Sequence, residues 1–179
     1  LELVHRIDKG TSGCLVVAKN NKALKTLAQQ FKSSAISKVY HALVEGSWPE
    51  QLTEINAALR RQEEKNGERY VDVAKDGKAA LTRFGILEVH PNTTLIEARP
   101  VTGRTHQIRV HAQLAGHPII GDDKYSAAKT RRAYAKAGVK RLCLHAAAIE
   151  LMHPDTGEKM TFNAPYDTQF EQALAILRL

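Results

Sequence analysis

Three polar segments of the chain carry residue types that catalyse reactions. The first, residues 5–13 (HRIDKGTSG), places Asp8 between the bases Arg6 and Lys9 in a loop punctuated by glycine. The apolar residues 14–18 follow and predict a buried strand, and loops held by rigid strands often carry functional groups. The same residues are also compatible with a surface turn in which the Asp8 side chain only accepts hydrogen bonds from nearby backbone N–H groups.

The second segment is residues 103–111 (GRTHQIRVH), which predicts a helix. On a helix His106 and Arg109 lie at neighbouring positions, because residues three apart share a face. An arginine on a core-facing helix needs an anionic partner, and Asp8 is the candidate. A solvated basic helix face is the alternative interpretation.

The third segment, residues 38–42 (KVYHA), predicts a strand that carries Tyr40. A single tyrosine in a strand usually packs in the core. Its ring can also stack on a nucleobase, and its hydroxyl can take part in proton transfer.

Other chemistries lack their motifs in this sequence. It contains no G-x-S-x-G, H-E-x-x-H, P-loop or G-x-G-x-x-G pattern. His106 and His111 are five positions apart, a poor spacing for a shared metal on a helix. We therefore expect no metal and no cofactor, and we expect most of the histidines to be structural.

Composition indicates one globular domain over residues 1–179 with a polyanionic partner. The hydrophobic fraction is 43% and the charged fraction 25%, and 26 Lys and Arg against 19 Asp and Glu give a net charge of +7. No apolar run reaches the roughly 18 residues of a membrane span. Cys14 and Cys143, without a CxxC motif, predict two buried reduced thiols in a cytoplasmic protein. Because the chain begins with Leu1 and no signal segment follows, we expect a fragment of a longer protein.

The order of elements predicts an α+β fold with a mixed, mainly antiparallel sheet and flanking helices. Helices are predicted at residues 22–31, 105–114, 126–136 and 168–179, and strands at residues 14–18, 39–44, 69–73, 80–89, 94–99, 142–152 and 160–162. Residues 47–68 are predicted to be irregular, with turns at Pro49, Asn66 and Gly67. The strands do not alternate regularly with helices, which argues against a doubly wound parallel sheet.

Taken together, the segments resemble the motifs of the pseudouridine synthases that modify ribosomal RNA. Residues 5–13 resemble the family's H-R-L-D-x-x-T-S-G motif, residues 38–40 its K-x-Y strand, and residues 100–111 its third motif. The pattern continues through residues 116–118, 122–125 and 142–146. Residues 141–148 and 153–158 narrow the resemblance to one member that acts on the large ribosomal subunit. The family's first motif and its S4-type RNA-binding domain are absent, so we expect part of a catalytic domain.

The resemblance implies the pseudouridine synthase fold and the isomerisation of specific uridines in 23S ribosomal RNA after base flipping. It implies Asp8 as the essential carboxylate, acting at the ribose or at the base, and Arg109 as its partner. Tyr40 matches the tyrosine that stacks on the uracil and is implicated in the last proton transfer. Substrate-binding candidates are Arg6, which would fill the vacated space, Leu144, an apolar wall, and the polar residues Arg104 and His106. The reaction is redox-neutral and needs no cofactor or metal.

Phosphate contacts are expected to supply most of the RNA affinity. The two candidate surfaces are Arg60, Arg61 and Lys65, and Lys129, Arg131, Arg132, Lys136, Lys140 and Arg141. We expect a monomer without a membrane partner. A non-catalytic RNA-binding module and an RNA hydrolase using Asp8 with His106 remain alternatives. The presence of Asp8 argues against the RNA-binding module, because a carboxylate among basic residues does not help to bind a polyanion.

Overall fold

The computed structural model describes residues 1–63 and 69–179. The strands are β1 Glu2–Leu3, β2 Ser12–Gly13, β3 Val17–Ala18, β4 Ser37–Glu45, β5 Glu54–Asn56, β6 Leu59–Glu63, β7 Arg69–Val73, β8 Leu81–Val89, β9 Thr93–Pro100, β10 Leu144–Met152 and β11 Lys159–Asn163. The helices are α1 Asn21–Lys32, α2 Gln107–Leu114, α3 Ala128–Lys136 and α4 Thr168–Leu177.

A mixed sheet organises the described part of the chain. Its strand order is β11-β10-β4-β9-β8-β5, all antiparallel, and the short β2 pairs in parallel with β10. The pairs β1–β3 and β6–β7 form two separate antiparallel ribbons. The predicted α+β class with a mainly antiparallel sheet is therefore confirmed.

The core lies where the central strands meet the helices. Residues 42–44 of β4 are fully buried, and Ile108 and Ala112 of α2 and Phe170 of α4 belong to the same apolar cluster. Asn20 begins α1 by accepting a hydrogen bond from the Ala23 N–H at 2.8 Å, as an N-cap residue does. Asp167 caps α4 in the same way through the N–H groups of Gln169 and Phe170. The four predicted helices are all present, within two residues at each end.

Two predictions about local structure were wrong. Residues 14–18 do not form one buried strand, because only β3 pairs, and its partner is the two-residue β1 outside the main sheet, so that Leu15 and Val17 stay exposed. Residues 47–68 are less irregular than predicted, since they contain β5 and the strand β6. Both are short and mostly polar, and each buries one apolar side chain, Ile55 and Leu59. The predicted turn at Asn66 and Gly67 and the predicted cation Lys65 lie outside the described residues.

Both cysteines are free thiols, as predicted, but only one is buried. Cys143 is fully buried, and burial raises its pKa to about 12. Cys14 is only half-buried and packs against the apolar cluster that contains Leu27 and Ile149. Burial raises the pKa of Cys14 as well.

Candidate active site

One cavity of about 260 Å³ collects every site residue predicted from the sequence. It opens where the loop before β2, strand β4, the segment before α2 and the start of β10 converge. Its lining includes Arg6, Asp8, Tyr40, Arg104, His106, Arg109 and Leu144. Residues up to 138 positions apart in sequence thus share one small space, which a chance distribution of polar surface residues would not produce.

The loop that carries Asp8 is fixed at both ends. On its N-terminal side His5 accepts a hydrogen bond from the Val16 N–H at 2.9 Å and stacks on Phe31 with ring centres 4.4 Å apart. Burial, together with the charge of Lys38, lowers the pKa of His5, which keeps it neutral and able to accept. On its C-terminal side Ser12 pairs with His145 of β10, both through the backbone register and through a 2.8 Å side-chain hydrogen bond.

Tight backbone geometry then places Asp8 at the cavity. The Thr11 N–H donates to the Asp8 carbonyl at 3.0 Å, and Gly10 adopts a left-handed φ of 87° in this turn. At Gly13 an added Cβ would lie only 2.8 Å from the Ala146 nitrogen, so glycine is required where β2 meets β10. The Asp8 side chain retains 22% of its exposure and faces the cavity.

Arg109 is the buried cation of the site. It belongs to α2, whose residues 107–112 are all buried, so the alternative of a solvated basic helix face is wrong. Its Nη1 lies 3.6 Å from Asp8 Oδ2. The structure thus brings Asp8 and Arg109 together, as predicted from the need of a buried arginine for an anionic partner.

The principal partner of Arg109 is a residue that the sequence did not single out. Its Nε and Nη2 donate to the two carboxylate oxygens of Asp122, each at 2.7 Å, and Nη2 also reaches Asp123 at 3.1 Å. Asp122 is completely buried and also accepts the N–H groups of Lys124 and Tyr125. Burial disfavours the charge of Arg109, but the hydrogen bonds and charge of Asp122, aided by Asp8, raise its pKa. Asp122 lies in the motif at residues 122–125. The sequence therefore marked this position as part of the family pattern, but it did not indicate that Asp122 binds Arg109.

Tyr40 and Leu144 form the apolar sides of the cavity. Tyr40 lies in the middle of the sheet, where it pairs with Ala98 of β9 and Ala146 of β10. Leu144, at the start of β10, is 3% exposed. Burial raises the pKa of Tyr40 to about 12, with contributions from the charges of Asp8 and Cys14, so its hydroxyl keeps its proton at neutral pH.

His106 precedes α2 instead of lying on it. It occupies the N-cap position with a left-handed φ of 53°, and its Nδ1 forms a 2.8 Å hydrogen bond with the Tyr125 hydroxyl. That hydroxyl also accepts the Val71 N–H, so His106 is tied through Tyr125 to β7. Burial lowers the pKa of His106 although the charge of Asp8 opposes this shift, which leaves the ring neutral at pH 7.

Cations surround the opening of the cavity. Arg6 is exposed at the rim, and Arg104 donates through Nε to the Ala79 carbonyl at 3.0 Å. Lys38 also lines the cavity, and burial lowers its pKa. Lys38 was visible in the K-x-Y pattern, but no role was inferred for it from sequence.

One of the predicted basic surfaces is partly structural. Arg141 is half-buried, binds both carboxylate oxygens of Asp167 through Nη1 at 2.6 and 2.7 Å, and donates to Ser12. Arg131 donates to the Asp123 carbonyl. Neither guanidinium is therefore an unengaged surface cation. Among residues 1–63 and 69–179 no group of three His, Cys, Asp or Glu side chains could hold a metal, and no helix there is long and apolar enough to cross a membrane.

Comparison with known proteins adds independent information. Residues 1–114 match the family model described as RNA pseudouridylate synthase. A curated relative from Haemophilus ducreyi, named ribosomal large subunit pseudouridine synthase C, is 49% identical over 178 residues, which cover 99% of this chain and 56% of the relative. The Escherichia coli protein of the same name is 46% identical over 180 residues, with the same two coverages. The narrower resemblance inferred from residues 141–148 and 153–158 is confirmed, and the chain spans just over half the length of these relatives.

Two solved structures share the fold. Human RNA pseudouridylate synthase domain containing 1 aligns with a TM-score of 0.78 at 26% identity, covering 99% of this chain and 80% of that one. Human RNA pseudouridylate synthase domain containing 4 aligns with a TM-score of 0.80 at 23% identity, covering 99% and 76%. The predicted fold is therefore confirmed by structural similarity as well as by topology.

Proposed function

Because the chain belongs to the RNA pseudouridylate synthase family, we propose that it isomerises uridine to pseudouridine in RNA, with 23S ribosomal RNA as the substrate. The reaction breaks the bond between N1 and the ribose, rotates the uracil and forms a bond from C5 to the ribose. The proton on C5 leaves, and N1 gains one, so the net composition is unchanged. We further propose that residues 1–179 are a catalytic domain, monomeric and cytoplasmic.

One observation carries the proposal: a carboxylate and a buried guanidinium face each other in a cavity of the size of one base. Asp8 and Arg109 are 3.6 Å apart, and the cavity that they line measures about 260 Å³. This is slightly below the roughly 300–1,000 Å³ of sites for drug-sized ligands, which suits a single nucleobase. An RNA-binding module would not need a carboxylate at this point.

Asp8 is the group that starts the chemistry. As a carboxylate it can attack the ribose or act on the base, and either step needs it to be ionised and held in place. Arg109 supplies a fixed positive charge beside it. The target uridine must first leave its stack, at a cost of a few kcal/mol, before Asp8 can reach it. Arg6 at the rim is placed to fill the vacated space, since a planar guanidinium stacks on bases.

Tyr40 and Leu144 hold the uracil between them in this proposal. The aromatic ring of Tyr40 provides a stacking surface, and Leu144 provides the opposite apolar wall. Because the hydroxyl of Tyr40 stays protonated, it can accept the C5 proton only if its own proton moves to an acceptor such as Asp8. Arg104 and His106 line the same cavity and are proposed to contact the substrate through their polar atoms.

The proposal is tested with 23S ribosomal RNA labelled with tritium at C5 of uridine. The chain should release tritium into water, and Asp8→Asn, which keeps the shape of the side chain but not its charge, should lower the rate by about 10²–10⁴-fold. The RNA should remain intact on a denaturing gel. Strand scission would identify a hydrolase instead, and RNA binding without tritium release would identify a binding module.

A further inference from the structure

A second groove adjoins the candidate active site on the far side of Arg104. It measures about 450 Å³ and lies between the β6–β7 ribbon, the turn at residues 74–78 and the segment before α2. Gly103 and Arg104 line both spaces. The groove is therefore adjacent to the cavity that holds Asp8, and Arg104 lies at the boundary between them.

The floor of this groove is built by a close backbone approach. A Cβ added at Gly77 would lie 2.6 Å from the Leu59 carbonyl carbon, so only glycine permits this proximity. The Gly77 N–H donates to the Ala74 carbonyl at 2.9 Å, which closes the turn. Leu59 and Lys78 then exchange two backbone hydrogen bonds at 2.8 and 2.9 Å. The turn thus holds Lys78 firmly against β6, beside the arginines of that strand.

The charges that line the groove are mostly positive. They come from Arg60, Arg61, Lys78 and Arg104, and Asp76 is the one carboxylate among the lining residues of the described ranges. Asp76 is engaged by Arg60, whose Nη1 lies 3.1 Å from both of its oxygens. The pair leaves three cations whose charge is not balanced by these lining residues.

Among residues 1–63 and 69–179, two of these cations are each oriented by a single hydrogen bond that leaves most of their donors available. Arg61 donates through Nη2 to the Thr105 hydroxyl at 2.7 Å, and Arg104 donates through Nε to the Ala79 carbonyl. An arginine has five N–H donors in a rigid fork that matches phosphate oxygens. Both guanidinium groups are therefore held in place with donors remaining for an anion.

We propose that this groove binds the phosphodiester backbone of the RNA strand beside the flipped uridine, through Arg61, Lys78 and Arg104. The inference rests on the proposed function and extends it by giving the bound strand a direction, from the base cavity past Arg104 toward the β6–β7 ribbon. Phosphate contacts supply sequence-independent affinity and fix register. In this assignment the groove sets affinity and position, and the chemistry remains at Asp8.

The test compares Lys78→Gln and Arg61→Gln with the matched control Lys159→Gln. Lys78 and Arg61 are both exposed, so both variants should fold. Lys159 is an exposed cation on the edge strand β11, at the opposite side of the sheet from β5, where it pairs with Glu150. Fluorescence anisotropy measures Kd for a single-stranded RNA spanning the target uridine at several salt concentrations, and tritium release measures kcat and KM.

Each groove variant should raise Kd and KM several-fold while kcat at saturating RNA stays the same. The slope of log K against log salt should become shallower by about 0.7 for each phosphate that the variant no longer neutralises, the value for single strands. Shortening the RNA from one side of the uridine should abolish the difference from the parent chain, and shortening it from the other side should not. Values of Kd and salt slope equal to those of Lys159→Gln would overturn the inference. Absence of tritium release by the parent chain would overturn the proposed function alone, because the anisotropy measurement is independent of turnover.

Discussion

Arg109 binds Asp122 through two hydrogen bonds of 2.7 Å and faces Asp8 through its remaining nitrogen at 3.6 Å. Its orientation is therefore set by Asp122, behind the site, and not by the carboxylate in the cavity. Asp8 can approach a substrate without releasing the arginine. Substitutions of Asp122 and of Asp8 should consequently have different effects on stability and on turnover.

Asp122→Asn should both destabilise the protein and slow turnover. The amide would turn an N–H group toward an arginine donor and leave the buried guanidinium without its full counter-charge. Breaking a buried ion pair costs about 3–5 kcal/mol. Urea unfolding measures the loss, and a fall in kcat larger than any rise in KM would report misplacement of Arg109.

The neighbouring Asp123→Asn is the matched control for that experiment. The Asp123 side chain is 76% exposed and contacts the same guanidinium at 3.1 Å. An exposed ion pair contributes about 0–1 kcal/mol, so this variant should remain close to the parent in stability and kcat. Equal effects of the two substitutions would mean that Asp122 has no special role in positioning Arg109.

Arg109→Lys should lose most of its turnover while keeping RNA affinity. An ammonium group retains the charge but cannot donate to both oxygens of Asp122 and still face Asp8. Single-turnover tritium release with saturating RNA measures the chemical step, and anisotropy measures binding. A rate near that of the parent chain would remove Arg109 from the catalytic arrangement.

Tyr40→Phe should slow turnover with RNA binding retained, because the ring remains and the hydroxyl is lost. Since the pKa of Tyr40 is about 12, the hydroxyl does not titrate between pH 6 and pH 10. The ratio of the two rates should therefore be constant across that interval. An identical rate for both proteins would exclude a role of the hydroxyl in proton transfer, and Tyr40→Leu would then test the ring alone.

Stability should fall as the pH decreases below about 6.5, partly through His111. His111 is fully buried, its Nε2 donates to the Ala57 carbonyl at 3.0 Å, and its Nδ1 lies 2.8 Å from the Thr82 hydroxyl. Because Nε2 carries the proton that it donates to the carbonyl, Nδ1 of the neutral ring is unprotonated and accepts from the Thr82 hydroxyl. Burial accordingly lowers the pKa of His111 below 6.5.

The sign of this pH effect follows from linkage. A group whose pKa is lower in the folded state binds more protons when unfolded, so its contribution is full above the unfolded pKa of about 6.5 and is lost as the pH falls toward the folded value. Tm measured from pH 8 to pH 5 should decline for the parent chain and decline less steeply for His111→Gln. Parallel curves would show that other groups cause the acid sensitivity.

The positions of the site residues could be predicted because their chemistry restricts them. An acid among bases before an apolar segment and an arginine on an apolar helix each need a partner of opposite charge, which links Asp8 to Arg109. The role of Asp122 could not be predicted, because the sequence does not show how many carboxylates surround a buried guanidinium. The start of α2 was predicted two residues too early, because nothing in the sequence indicates that His106 adopts a left-handed φ.

Short polar strands also could not be predicted from the sequence. In β6 one buried side chain, Leu59, is followed by residues that carry charge or amide groups, so neither an apolar run nor clear alternation is visible. The strand exists because it pairs with β7, and pairing between strands leaves little trace in a single sequence. The groove beside the candidate active site could be predicted only in part. Arg60 and Arg61 were recognised as a basic surface, but their place beside Lys78 and Arg104 depends on the pairing of these strands.

The docking of β2 on β10 has a consequence for how the polypeptide is made. The loop that carries Asp8 is anchored through the contact of Ser12 with His145, and these two residues are 133 positions apart in the chain. A nascent chain that has emerged only as far as β9 has no surface on which to seat this loop. The carboxylate can therefore take up its final position only after β10 has been synthesised, so a polypeptide that ends before β10 contains Asp8 but cannot orient it.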